Sequence, residues 1–141
     1  RAEFAAMLVK ALGLNTSGAS GQFKDVAADA WYVGAVNTAS ENRLVSGTGD
    51  NLFTPNALIT REQMAVMLSQ ALGSKAPPID GSELEGFIDK SAVSSWAQTG
   101  MKQAVRAGII HGVTPDTLAP QADATRAQAA VMIYQLLNIF K

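Results

Sequence analysis

The chain carries an internal repeat, and that repeat limits what it can fold into. From Trp31 onward, residues recur 65 positions later: Trp31 and Trp96, Ala39 and Ala104, Leu44 and Ile109, Gly47 and Gly112, Pro55 and Pro120, Thr60 and Thr125. One constant shift linking such unlike residue types marks a duplicated structural unit. Part of the unit occurs a third time. Arg1-Ala2-Glu3-Phe4-Ala5-Ala6-Met7-Leu8 matches Arg61-Glu62-Gln63-Met64-Ala65-Val66-Met67-Leu68 and Arg126-Ala127-Gln128-Ala129-Ala130-Val131-Met132-Ile133. Arginine leads each copy, and Met7, Met67 and Met132 fall at one place. Ahead of the tryptophans stand Phe23-Lys24-Asp25-Val26 and Phe87-Ile88-Asp89-Lys90, whose spacing to Trp differs by one residue, as a loop length can.

Each unit reads as helix, loop, helix. Trp31, Ala35, Val36 and Ala39 recur at helical spacing, as do Trp96, Gly100, Met101, Ala104 and Val105. Glycine-containing loops follow, and Pro55 and Pro120 bar a helix there. The second helices are expected from Thr60 to Leu72 and from Thr125 to about Asn138. The organisation is then a lone second helix at 1–14 and complete units at 23–73 and 87–140. Polar joints lie at 15–22 and 74–86, and Glu83 and Glu85 in the latter are expected to be solvated. Short helix pairs cannot bury their apolar faces alone, so the units must pack together in an all-α array. Met7, Met67, Met101 and Met132 are expected in its core.

Composition removes several function classes. Hydrophobic residues make up 48% of the 141, so the chain should fold. Lys and Arg number 11 against 12 Asp and Glu, which gives no broad basic surface for nucleic acid. There is no cysteine and one histidine, His111, which leaves little for nucleophilic or zinc chemistry. Asp50, Asn51 and Asp116 do not fit a calcium-loop pattern. No enzyme activity, cofactor or metal is expected. No apolar run reaches the length of a membrane span. No signal peptide is visible, and the chain starts at Arg1 without a methionine, so it reads as an excerpt or a processed fragment.

The helix starts carry the most local information. Thr60 with Gln63, and Thr125 with Gln128, fit capping boxes, which puts Arg61 and Arg126 in a first helical turn. A cation there opposes the helix dipole at a cost of about 0.3–1 kcal/mol. Repeated at Arg1, Arg61 and Arg126, the mismatch needs a compensating partner. One candidate is an anion, at which peptide N–H groups and a guanidinium fork would both point. The other is a nearby aspartate, Asp25 or Asp89, with the arginine merely joining the repeats. Trp31 and Trp96 are likewise open to two readings, as core anchors or as platforms for a sugar ring.

In order, these pieces resemble the S-layer homology (SLH) domain, and the likeness covers nearly the whole chain. Its F-x-D-V segment, tryptophan helix, glycine turn, proline loop and I-T-R-A-E helix start stand here as Phe23-Lys24-Asp25-Val26, Trp31, Leu44-Val45-Ser46-Gly47, Phe53-Thr54-Pro55 and Ile59-Thr60-Arg61-Glu62-Gln63. The later copy keeps Phe87, Asp89, Trp96, Gly108-Ile109-Ile110-His111-Gly112, Pro120 and Thr125-Arg126-Ala127-Gln128. The resemblance implies a pseudo-trimer, with second helices in a central bundle and helix-loop prongs splayed outward. It also implies a non-enzymatic anchor at the bacterial cell wall or S-layer, outside the cell. That anchor would bind secondary cell-wall polysaccharide, often with ketal-pyruvate groups, in grooves between units. Carried over, the glycan-binding residues are Arg1, Arg61 and Arg126, Trp31 and Trp96, Asp25 and Asp89, and Gly47 and Gly112. Arginine would clamp the carboxylate, tryptophan would wall the groove, glycine would let backbone approach the sugar, and aspartate would take hydroxyls or orient arginine.

Some positions depart from the pattern. The motif glutamate survives as Glu3 but becomes Gln63 and Gln128, Leu118 stands where Phe53 does, and Lys90 stands where Val26 does. The later copy is therefore expected to bind less well. The first unit has only its second helix, so at most two grooves are complete, unless another chain of a homo-oligomer supplies the missing part. Peptidoglycan is the alternative wall partner. A structural self-assembly module is the alternative function.

Overall fold

A computed structural model describes all of residues 1–141. It holds five α-helices and no sheet: α1 (Ala2–Ala11), α2 (Val33–Glu41), α3 (Arg61–Leu72), α4 (Gln98–Arg106) and α5 (Arg126–Ile139). The all-α expectation holds.

Local chemistry sets the helix ends. At α3 the Thr60 hydroxyl accepts the Gln63 N–H at 3.2 Å, while the Gln63 side chain accepts the Thr60 N–H at 3.0 Å. Thr125 and Gln128 repeat this reciprocal cap at α5, both bonds at 3.0 Å. The tryptophan helices begin later than their periodicity predicts. Trp31 and Tyr32 lie in a turn before α2, and Ser95–Ala97 form one 3-10 turn before α4. Both helices stop on a residue in the left-handed region, Arg43 (φ 59°) and its counterpart Gly108 (φ 76°). Beyond it, the Leu44 N–H donates to the Ala39 carbonyl at 2.8 Å and the Ile109 N–H to the Ala104 carbonyl at 3.0 Å.

The chain divides into two compact units, Arg1–Leu58 and Ile59–Lys141. In the first, α1 packs on α2, and Phe4, Leu8, Val36, Ala39, Leu44 and Phe53 are buried. In the second, α3 packs on α4 and α5, and Met64, Leu68, Met101, Ile109, Leu118 and Leu136 are buried. The division falls inside the repeat read at 23–73. Each compact unit thus joins the second helix of one repeat to the first helix and loop of the next.

Two expectations are corrected. Glu83 is not solvated: its side chain is 1% exposed, it accepts the Asp80 and Gly81 N–H groups at 2.9 and 3.0 Å, and Arg106 stands 3.5 Å away. A carboxylate so placed folds the joint onto itself. Met67, Met101 and Met132 are buried, but Met7 is only half-buried.

Arg43 is exposed and sits where its counterpart is glycine. A side chain in this region costs about 1–2 kcal/mol, partly offset by the lower entropy of the unfolded non-glycine chain. Arg43→Gly is therefore expected to raise stability by up to about 1 kcal/mol, read as a higher urea midpoint at unchanged slope.

Candidate functional site

The site grows from the two loops that follow α2 and α4. Each loop closes on itself after its glycine. A Cβ on Gly47 would stand 2.7 Å from the Leu52 carbonyl oxygen and 2.9 Å from the Phe23 ring. On Gly112 it would stand 2.2 Å from the Thr114 oxygen and 2.9 Å from the Phe87 ring. The close approach that glycine allows here is by the loop's own backbone and by the aromatic residue of the F-x-D segment.

Aspartate then grips the loop. Asp25 accepts the Phe53 and Thr54 N–H groups at 2.9 and 2.8 Å, and Asp89 accepts those of Leu118 and Ala119 at the same two distances. Thr54 and Ala119 sit at φ 54° and 51°. For a β-branched threonine this is a strained conformation, costing on the order of 1–3 kcal/mol, that the two aspartate bonds help hold. Phe53 and Leu118 are both fully buried, so leucine still plugs the core where the aromatic is lost.

Arginine takes the other edge of the same peptides. Arg61 Nε donates to the Leu118 carbonyl at 2.8 Å and Nη2 to the His111 carbonyl at 2.7 Å. Arg1 does the same to Phe53 and Ser46, both at 2.9 Å, and its guanidinium lies 4.8 Å from the centre of the Phe53 ring. Arg61 is 3% exposed. Burial lowers the pKa of both arginines, and the charge of the facing Asp25 or Asp89 opposes that shift. For both aspartates, burial pushes the carboxyl up. The two loop N–H donors, the aspartate's own N–H and the arginine charge together outweigh it and leave each below the ordinary carboxylate value.

This differs from an anion niche at the helix start. At α3 the Arg61 N–H donates to Ala122, Glu62 to Pro120, Gln63 to the Thr60 hydroxyl and Met64 to Thr60, at 2.9–3.2 Å. The geometry of Arg1 and Arg61 is the repeat-joining alternative, with loop carbonyls as the direct acceptors and the aspartate gripping the far side of the same loop. Arg126, at the corresponding place on α5, is exposed.

The tryptophans are surface residues, not core anchors: Trp31 is 71% and Trp96 59% exposed. Trp31 meets Tyr32 edge-on with ring centres 5.4 Å apart. Trp96 borders an open groove of about 360 Å³ between α3 and α4, together with Ser69, Gln70, Thr99, Gly100 and Gln103. A second depression of about 440 Å³ is lined by Phe87, Val105, His111, Gly112 and Pro115. Arg61 and Asp89 line neither. Glu62, to which the sequence reading assigned no role, is 2% exposed. Its carboxylate accepts the Ser94 N–H and hydroxyl at 2.9 and 2.7 Å and the Gln121 amide at 3.1 Å. Because alanine holds its place in the other two helices, the repeat pattern gave no signal for it.

A family model described as the S-layer homology domain matches residues 22–65 and 86–130. The chain belongs to the S-layer homology domain family. Relatives include exoglucanase XynX of Acetivibrio thermocellus, 37% identical over 98% of this chain, and the amylopullulanase of Thermoanaerobacterium thermosulfurigenes, 36% identical over 98%. The surface-layer 125 kDa protein of Lysinibacillus sphaericus is 36% identical, again over 98% of this chain. The chain spans only 13%, 7% and 12% of those proteins' lengths. S-layer homology domains are binding and anchoring modules of cell-wall-associated surface proteins, and in the enzymes the module is separate from the catalytic part. No helix here is long and apolar enough to cross a membrane.

Two predictions follow from the clamp. Arg61→Ala leaves two loop carbonyls without their charged donor, at about 1.5–3 kcal/mol, and is expected to speed amide exchange at residues 111–119 before other segments. A carboxyl whose pKa is depressed on folding stabilises above its unfolded value of about 3.9 and loses that contribution as pH falls through the lower folded value. Stability is therefore expected to drop below about pH 4. Asp89→Asn should be destabilised at neutral pH and show a shallower acid slope in thermal melts across that window.

Proposed function

We propose that this chain holds a larger surface protein to the bacterial cell wall, without a covalent bond, by binding secondary cell-wall polysaccharide. The observation that carries the reading is Trp96, exposed beside the groove between α3 and α4. An exposed indole offers an apolar face to a pyranose ring. The amides of Gln70 and Gln103 and the hydroxyl of Thr99 offer both donors and acceptors for sugar hydroxyls. The relatives support the same reading. An exoglucanase, an amylopullulanase and a surface-layer protein share this segment and differ in name and length, so what the segment does is not their catalysis.

Within this reading the helix-start arginines act indirectly. Arg61 holds the loop that carries His111 and Gly112, and the aspartates brace it from the other side. The pyruvylated class of polysaccharide comes from the family resemblance, as does the pseudo-trimer of second helices with prongs outside. The polymer is bound through its sugar faces first, and the carboxylate adds to that.

The test is binding of the purified protein to three immobilised fractions: wall polysaccharide, the same polymer after removal of pyruvate, and peptidoglycan. Trp96→Ala is expected to weaken polysaccharide binding at least tenfold, about 1.4 kcal/mol, with an unchanged melting temperature. Equal binding by Trp96→Ala and the parent would overturn the groove. Preference for peptidoglycan would replace the polymer.

A further inference from the structure

The groove beside Trp96 has a counterpart in the first unit, and there the place is taken. By the repeat, Trp96, Thr99 and Gln103 correspond to Trp31, Gly34 and Thr38. Gly34 and Thr38 stand one turn apart on α2 and so share a face. The connector that leaves α1 crosses that face. A Cβ on Gly34 would stand 3.0 Å from the Thr16 carbonyl oxygen and 3.3 Å from the Thr16 Cβ, and the Thr38 hydroxyl donates to the Asn15 carbonyl at 3.4 Å. Farther along, the Ser20 N–H donates to the Glu41 carboxylate at 2.8 Å, and the Ser40 hydroxyl donates to the Gln22 side chain at 3.2 Å. Residues 15–22 thus lie as a strap along α2. Beneath it Thr38 is 3% exposed, whereas in the second unit Gln103 is half-buried and Thr99 exposed.

We propose that this strap fills, in the first unit, the place that the Trp96 groove holds open in the second, and that Gly34 is the residue that lets it seat. Each chain then offers one such groove rather than two, and the pair Gly34 and Thr99 decides which. The part that concerns glycan rests on the reading of the Trp96 groove given above. Two features of the sequence produce the difference. The first connector is four residues shorter, since Leu12 and Leu72 are 60 positions apart while Phe23 and Phe87 are 64 apart. A short connector takes the direct path over α2, and a side chain at Gly34 would meet its backbone. The longer connector carries Pro77-Pro78 and folds onto itself, with Glu83 accepting the Asp80 and Gly81 N–H groups, which leaves Thr99 and Gln103 uncovered. The seated strap is also imperfectly satisfied. Asn37 Oδ1, next to Gly21, is buried with no hydrogen-bond partner, a penalty that lifting the strap relieves.

The chain has no cysteine, so a single reporter thiol can be placed on either helix, by Thr38→Cys or by Gln103→Cys. The first is expected to label at least about tenfold more slowly than the second, because only the first lies under a strap that must open. Adding Gly34→Thr, the residue of the second unit, is expected to bring Thr38→Cys up to the Gln103→Cys rate with helix content unchanged by circular dichroism. Gly34→Ala, whose Cβ alone meets the Thr16 carbonyl, is expected to fall between and carries the test if the larger side chain disturbs the fold. Equal labelling of the two thiols in otherwise unaltered chains overturns the strap. So does slow labelling of Thr38→Cys that persists in both Gly34 variants. Binding is read separately, by calorimetry with short saccharide fragments of wall polysaccharide. The parent is expected to take one fragment per chain and Gly34→Thr two. Two fragments on the parent, or one on a Gly34→Thr protein whose strap has opened, overturns Gly34 as the deciding residue. One fragment that survives Trp96→Ala instead refutes the Trp96 groove, and the labelling rates still decide the strap.

Discussion

The structure depends on one peptide in each loop being held from both edges by opposite charges. In the Leu118–Ala119 peptide, Asp89 accepts the Ala119 N–H while Arg61 donates to the Leu118 carbonyl, and Asp25 and Arg1 treat the Phe53–Thr54 peptide the same way. Removing Asp89 leaves the buried Arg61 guanidinium without its facing charge, which costs more than the pair contributes when complete. The grip also holds a backbone that would not stay put unaided, with Thr54 and Ala119 in the left-handed region next to the gripped peptide. Because the arginine comes from the helix of the preceding repeat, the clamp decides which helix belongs with which loop. That is why the compact units are offset from the sequence repeats.

What the sequence made legible follows from which atoms do the work. The capping boxes at Thr60 and Thr125 use side chains on both partners, so residue identity announced them and both formed. The arginine clamp uses main-chain acceptors, which residue identity does not report. Ser46 and His111 differ completely as side chains, yet each presents the same carbonyl to the same guanidinium nitrogen. The His111 side chain has no counterpart at Ser46, while the carbonyls of the two residues play one part. Phe53 and Leu118 likewise differ in shape but not in burial. Trp31 and Trp96 sit at helical spacing from the next apolar residues, yet each lies in the turn before its helix. Periodicity cannot distinguish a residue on the helix from one just ahead of it.

The cation at the positive end of a helix was the sharpest clue in the sequence, and magnitudes show how it is resolved. Opposition from the helix dipole is about 0.3–1 kcal/mol, whereas each charged hydrogen bond contributes about 1.5–3 kcal/mol. At Arg1 and Arg61, two such bonds each outweigh the dipole without any external anion. The N–H groups that could have received one are taken up by Ala122, Pro120 and Thr60. At Arg1 and Arg61 the partner that offsets the mismatch is the chain's own next loop.

This reassigns where a ligand can act. On the proposed reading a groove ligand would meet Trp96 and the amides around it rather than the buried Arg61 guanidinium. Nη2 of Arg61 bonds the carbonyl of His111, and His111 and Gly112 line the second depression. On the proposed reading a ligand lodged there would lean on a wall that the clamp holds in place. Loss of the arginine would then weaken binding by loosening the wall, and would do so for charged and uncharged glycans alike. A carboxylate clamp makes the opposite demand, that only the charged glycan should notice the loss.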